Sequence, residues 1–327
     1  MVGEFVTASC SNSNTVELAN GRHARLMQGD LLVGALGVRR ATLESVGDWQ
    51  SIGPDGRMED LTHAGLFGRE TNHSVHIPPH PSFIYQGHVI REGTKVCMQD
   101  FCKKNVPAIV TTYDCPTILI IGTSMSVGKT FAGRAIIRLL KNMGFRRVVA
   151  TKLTGAGCYS DILSFHDAGA DAVFDFVDAG LPSSAVPLEE YQQSLQLLLS
   201  MVSAQHPDIV VAEAGASPFE VYNGAAALQA MVNRDPFVVL CASDPYAVLG
   251  VTKSFGIQPD IVSGIAASTS AGIELVEKLA GVPALNLNTD ESVDELRKLL
   301  TIVLKYKLLK LDVTEEPSPK RTTSMEV

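Results

Sequence analysis

The chain reads as an α/β protein: a parallel sheet with helices on both faces, preceded by a small β-rich domain. Three observations predict this. Short, almost wholly apolar runs at 117–121, 148–150, 209–212 and 237–241 alternate with segments of helical period, the pattern of strands buried on both faces. A glycine-rich motif at 122–130 sits between the first such run and the first helical segment. Before residue 113 no helical period lasts more than about two turns, while Gly and Pro recur, as in short strands joined by tight turns.

Taken in order, residues 1–21 are polar and expected to be mobile. Residues 22–113 form the β-rich domain. Within it, Leu31-Leu32-Val33 runs into Gly34, and the segments 83–90 and 95–98 flank a hairpin-like Arg91-Glu92-Gly93-Thr94. Residues 114–311 form the parallel-sheet domain. A helix is predicted over 129–143 with Gly144 as its C-cap. Further helices are expected at 188–204, 270–280 and 292–306, with a strand at 284–287 between the last two. The Pro-, Ser- and Lys-containing tail, 312–327, is expected to be disordered. No internal repeat is evident.

Composition narrows the function classes. Of 327 residues, 46% are hydrophobic and 19% charged, enough apolar material for a sizeable core. The net charge of -8 argues against a general nucleic-acid surface. No apolar run reaches the roughly 18–20 residues of a membrane helix, and the start of the chain lacks a basic head followed by an apolar stretch. Cys10, Cys97, Cys102, Cys115, Cys158 and Cys241 include no CxxC pair and read as reduced thiols. A cytoplasmic protein without membrane or nucleic-acid partners is expected. The oligomeric state stays open, a homo-oligomer included.

The glycine motif carries the chemistry. Gly122-Thr123-Ser124-Met125-Ser126-Val127-Gly128-Lys129-Thr130 matches GxxxxGK[ST] in full. Glycines let the backbone curl around an anion, and the helix that follows adds its positive end. In such a P-loop Lys129 reaches the β- and γ-phosphates of a nucleotide, and Thr130 ligates Mg²⁺. Gly122, Thr123, Ser124, Ser126, Val127 and Gly128 complete the cradle. An acidic partner belongs at the end of a neighbouring strand, and Glu213 closes the run Asp208-Ile209-Val210-Val211-Ala212. Asp208 should then lie at the far end of the sheet. Lys152 closes the second strand, where ligands of parallel sheets gather, and offers a second cation to the γ-phosphate. The [NT]KxD guanine signature is missing, which favours ATP.

Together, the loop, Lys152 and Glu213-Ala214-Gly215 resemble the dethiobiotin synthetase and cobyrinate-amidating branch of P-loop proteins, which uses ATP to activate a carboxylate or carbamate. The stretch from Thr154-Gly155 through Gly169-Ala170-Asp171-Ala172-Val173-Phe174-Asp175-Phe176-Val177 to Gly180 is similar to another P-loop family. That family was long catalogued as a domain of unknown function and includes proteins described as D-glutamate N-acetyltransferases. The cyclic 2,3-diphosphoglycerate synthetases share some of this look. The resemblance spans about 117–290 and implies fold and nucleotide more than reaction.

Residues 153–187 carry Asp161, His166, Asp167, Asp171, Asp175 and Asp178, and read as an acidic insertion above the sheet where an acceptor would bind. Asp161 and Asp171 are the first choices, with His166 and Asp167 as an acid–base pair. In the first domain His63, His73, His76, His80 and His88 read as surface or hydrogen-bonded histidines rather than metal ligands, and Trp49 as a packing residue. The leading function is a Mg²⁺- and ATP-dependent enzyme, with Lys129, Lys152, Glu213 and Asp161 as its catalytic groups. It would act on a small anionic or amino-acid-like metabolite by phosphoryl transfer or ligation. The alternatives are an acyl-CoA-dependent N-acetyltransferase and a nucleotide-gated binding protein or metallochaperone.

Overall fold

The structure, a computed structural model, describes residues 1–7, 14–102, 113–232 and 235–304. The tail at 312–327 and Cys10 therefore lie outside the described residues. Six strands form the parallel sheet: β1 (Thr117–Gly122), β2 (Val148–Thr154), β3 (Ala172–Asp175), β4 (Ile209–Ala214), β5 (Phe237–Cys241) and β6 (Ile261–Ser263). Their spatial order is β3-β2-β4-β1-β5-β6. The loop-bearing strand is thus central, with the acidic strand β4 at its side; Ile120 pairs with Glu213 in register.

Strand periodicity explains why β1 reads as apolar throughout. Ile118 and Ile120 point to one face, where they pack with α1 (Lys129–Asn142), Phe165 of α2 (Tyr159–Asp167), and Leu296 and Leu300 of α7 (Asp290–Val303). Leu119 and Ile121 point to the other face, against residues of α3 (Leu188–Ser203), α4 (Gly224–Val232), α5 (Pro245–Phe255) and α6 (Ser270–Ala280). Both faces are covered, so no alternation with polar residues survives.

The β-rich region before residue 103, called the first domain below, is built on a largely antiparallel sheet. Its central strands are Val2–Thr7, Ser82–Gly87, Arg57–Asp60 and Leu66–His73. Phe5, Met58, Phe67 and Phe83 fill its core, with Phe83 edge-on to Phe67 at 5.2 Å and to Phe5 at 5.6 Å. The expected hairpin forms only at its tip, Ile90–Arg91 pairing with Thr94–Lys95, while Ser82–Gly87 pairs with Val2–Thr7 and Arg57–Asp60 instead.

The structure departs from the sequence reading in three further places. The polar start is not mobile over its first residues: Val2–Thr7 lies between Leu31–Val33 and Ser82–Gly87, and Phe5 supplies the buried anchor that overrides the polar neighbourhood. Residues 284–287 do not form a strand. Only Ala284 bridges to Val262, and Pro283 before it has no N–H to extend a ladder. Residues 153–187 are not simply an insertion above the sheet, since α2 lies inside them and β3 is the sheet's edge strand.

Candidate functional site

The carboxyl ends of β1, β2 and β4 open onto a cavity of about 480 Å³ lined by Lys129, Thr130, Lys152, Asp161 and Glu213. The loop owes its shape to backbone conformations that its sequence permits. Gly128 has φ +97° and caps α1, a left-handed conformation that glycine adopts without cost. At Gly122 a Cβ would meet the Lys129 side chain at 2.7 Å, so only glycine leaves room for the lysine to fold back over the strand end. Thr123 is pinned to β5: its N–H donates to the Cys241 carbonyl at 3.1 Å, and its Oγ1 accepts from Ser243 N–H at 3.0 Å. Val127 is buried and packs into the core with Ile118 and Ile120 rather than lining the cavity.

Lys129 is 5% exposed, and its Nζ donates to the Ser124 carbonyl at 2.7 Å. Burial pushes its ammonium below the ordinary value, and the Glu213 carboxylate opposes that shift. Thr130 Oγ1 donates to Glu213 Oε2 at 3.2 Å, and Glu213 is 2% exposed. Burial raises the Glu213 carboxyl above its ordinary value, while Lys152 and Lys129 pull it down. Lys152 pairs with Glu213 across β2 and β4, and with Asp175 across β2 and β3. Its Nζ is ion-paired with Asp161 on α2. Burial alone would lower the Lys152 pKa, but Asp161 and Glu213 outweigh it and hold the ammonium charged.

These groups suit a phosphate chain with Mg²⁺. Mg²⁺ takes hard oxygen ligands, commonly one or two carboxylates plus the phosphates themselves. The adjacent Thr130 hydroxyl and Glu213 carboxylate are such a set, half-buried and buried respectively and already in contact. Lys129 and Lys152 offset the charge.

Two residues at the cavity escaped the sequence reading. Arg39 and Glu44, from the first domain, both line it. Glu44 Oε1 accepts from Ser126 Oγ at 2.7 Å, reaching the middle of the loop, and Glu44 is also ion-paired with Arg39. Nothing local in Val38-Arg39-Arg40 marks this role; it depends on how one sheet sits over the other. That seating is built from Leu61 and Leu66 of the first domain packed with Ala156, Ala216 and Tyr222, and from Arg40 N–H donating to Tyr222 Oη at 2.7 Å.

Other expected residues lie elsewhere. Asp171 is not at the site: it binds Lys141 Nζ at 2.8 Å and Val148 N–H at 2.7 Å, at the amino end of β2. A carboxylate there ties off the strand start. His166 and Asp167 are exposed at the end of α2 and form no part of the cavity. Asp208 does sit at the far end of the sheet, accepting from the N–H groups of Arg146 and Arg147 at 2.9 Å each. Among the described residues no group of three or more His, Cys, Asp or Glu is arranged as a metal site. His80 bonds Ser45 Oγ at 2.9 Å and lies beside His63, the rings tilted at 52° with centroids 5.3 Å apart. Trp49 is 45% exposed rather than packed away.

No protein-family model matches the chain, and no curated protein matches it. Among solved structures it is similar in part to three proteins. One is the signal recognition particle receptor FtsY from Elizabethkingia anophelis, with 14% identity over 55% of this chain and 60% of that chain and a TM-score of 0.37. Another is the hydrogenase maturation factor HypB from Archaeoglobus fulgidus, with 13% identity over 58% of this chain and 90% of that one and a TM-score of 0.38. A third is a DUF1611 family protein from Anabaena variabilis, with 13% identity over 60% of this chain and 63% of that one and a TM-score of 0.39. The matched region thus spans less than two thirds of the FtsY chain. The reading of this chain as a P-loop fold rests on its own strand order and loop, and on the wholly parallel sheet with helices on both faces. Among the described residues no helix is long and apolar enough to cross a membrane.

Proposed function

We propose that the chain is a Mg²⁺- and ATP-dependent enzyme that activates or phosphorylates a small metabolite. The observation that carries this reading is the Thr130–Glu213 contact beneath a buried Lys129, a cation and a hard-oxygen pair set at the mouth of one glycine loop. On nucleotide entry Lys129 exchanges the Ser124 carbonyl for the β- and γ-phosphates. Thr130 and Glu213 would hold Mg²⁺, which supplies neutralisation of the phosphate charge. Asp161 keeps Lys152 charged and aimed from β2, so that it meets charge developing on the transferred group. Arg39 adds a third cation from the first domain, released when Glu44 moves. The acceptor would lie over residues 153–180 and attack in line. On this reading the two-part division at 113/114 separates a nucleotide domain from one that completes its cavity.

One observation favours a gated variant of this reading. Ser126 of the loop is tied through Glu44 to Arg39, so filling the loop would tug on the first domain, as in nucleotide switches. The experiment is thermal melting with Mg-ATP, Mg-GTP and coenzyme A in parallel. A ligand at 100 times its Kd stabilises by about 2.7 kcal/mol. ATP is expected to raise the Tm most. A response to coenzyme A alone would favour the acyl-transfer reading, and no response to any nucleotide would remove the proposal.

A further inference from the structure

A second and larger cavity, about 980 Å³, lies between the two sheets. It adjoins the smaller one, since Cys158 lines both. Its walls are mostly apolar, and Trp49, Phe101 and Tyr159 all line it while remaining substantially exposed. Arg91 lies over the Phe101 ring at 5.5 Å, whereas the exposed rings of Trp49 and Tyr159 are costly unless something covers them. The charged groups among its described lining are Asp175, Asp178 and Glu190 and the N-terminal ammonium of Met1, which donates to the Gly34 carbonyl at 2.9 Å; His88 also lines it, and neither lysine nor arginine does. Asp175 is 3% exposed. Its Oδ1 accepts from Val177 N–H at 2.9 Å and from Asp178 N–H at 3.3 Å, which fixes the carboxyl at the end of β3. Burial, with Asp178 beside it, pushes that carboxyl up to about 7. A ligand cation would relieve this cost.

We propose that this cavity binds the acceptor as an amine with an apolar or aromatic body, its ammonium directed to Asp175 and Asp178 and its body against Trp49, Phe101 and Tyr159. Aromatic faces attract cations as well as apolar surface, while an anionic ligand would face three carboxylates against the one Met1 ammonium, already bonded to the Gly34 carbonyl. The proposal deepens the nucleotide reading, on which the acceptor role rests, and narrows the metabolite to the amine-bearing side of the expected range. The binding claim itself does not need nucleotide.

Trp49 is the sole tryptophan of the chain, so the full protein reports on its own cavity. Its fluorescence is titrated with 2-phenylethylamine and, separately, with 3-phenylpropionate of similar size. The amine is expected to give a saturable change at least tenfold tighter than the carboxylate, and Asp175→Asn to weaken it at least tenfold. Should Asp175→Asn fail to fold, the amine-to-carboxylate ratio in the unaltered chain decides. Equal or tighter carboxylate binding, no saturable amine signal, or full amine affinity in folded Asp175→Asn would overturn the proposal. Mg-ATP titrated alone in the same cell keeps the two readings apart, because loss of nucleotide binding with amine binding intact faults only the phosphate site.

Discussion

Arg39 is the residue on which the account departs furthest from a bare phosphate loop. Its guanidinium is held by Glu44 and by the Leu61 carbonyl, and its Nε–H is buried with no hydrogen-bond partner. A buried orphan donor costs about 1–3 kcal/mol, which an incoming oxyanion would recover. Arginines that reach a γ-phosphate contribute about a thousandfold or more to turnover. Arg39→Ala is therefore expected to lower kcat by about that factor while nucleotide Kd changes little; steady-state rates beside calorimetric affinity check this, and a large loss of affinity with kcat intact would assign Arg39 to ground-state binding. Glu213→Gln keeps the side-chain volume and removes the charge. Turnover should become much weaker at any Mg²⁺ concentration with nucleotide binding partly kept, and unchanged turnover at saturating Mg²⁺ would exclude Glu213 from the reaction. Asp175 gives a pH prediction. Its folded pKa, about 7, exceeds the ordinary 3.8, so the folded state binds the extra proton. Its contribution is fully present below about pH 4 and is lost as pH rises through 7. The Tm of Asp175→Asn relative to the unaltered chain should rise between pH 5 and pH 8, and a constant difference would contradict the buried-carboxyl reading.

At the scale of elements, α2 links core to site. Phe165 is fully buried against the sheet, and Gly133 of α1 lets it approach: a Cβ there would meet the ring at 2.6 Å. Asp161, one turn earlier, holds Lys152. Phe165→Ala should cost about 3–5 kcal/mol and lower turnover as Asp161 shifts; chemical denaturation and rates on one sample test it, and a stability loss without any rate change would uncouple the helix from the site. This helix also marks the limit of what the sequence makes legible. The long helices and β1, β4 and β5 announce themselves because each buries a full stripe or both faces. In α2 only Ile162 and Phe165 are buried over nine residues, too short a pattern to separate from a polar loop. Lys129 and Thr130 were readable from the spacing of loop and helix, and Glu213, although 83 residues from Thr130, because an acidic residue closing an apolar strand is itself a local signal. Arg39, Glu44 and the larger cavity were not, because no local pattern marks them and their place is set by packing alone, as in the Glu44–Ser126 contact.

At the scale of the whole molecule, the β-rich region supplies one wall of the cavity at the glycine loop through Arg39, Glu44, Thr62 and His63. Tyr159 N–H donates to Glu17 at 3.0 Å and Ser183 Oγ to the Val38 carbonyl at 2.7 Å, so both cavities have walls from each half. A chain beginning at Asp114 is expected to keep nucleotide affinity, since the loop, Lys152 and Glu213 all lie beyond that point, and to lose turnover; full turnover in the shortened chain would contradict the role given to Arg39. The central claim is that one nucleotide binds in the glycine loop through Lys129. Calorimetric titration of Mg-ATP into the full chain and into Lys129→Ala tests it most directly. The account predicts one saturable site per chain that disappears in Lys129→Ala with melting in the absence of ligand retained. Equal affinity in the two proteins would contradict it.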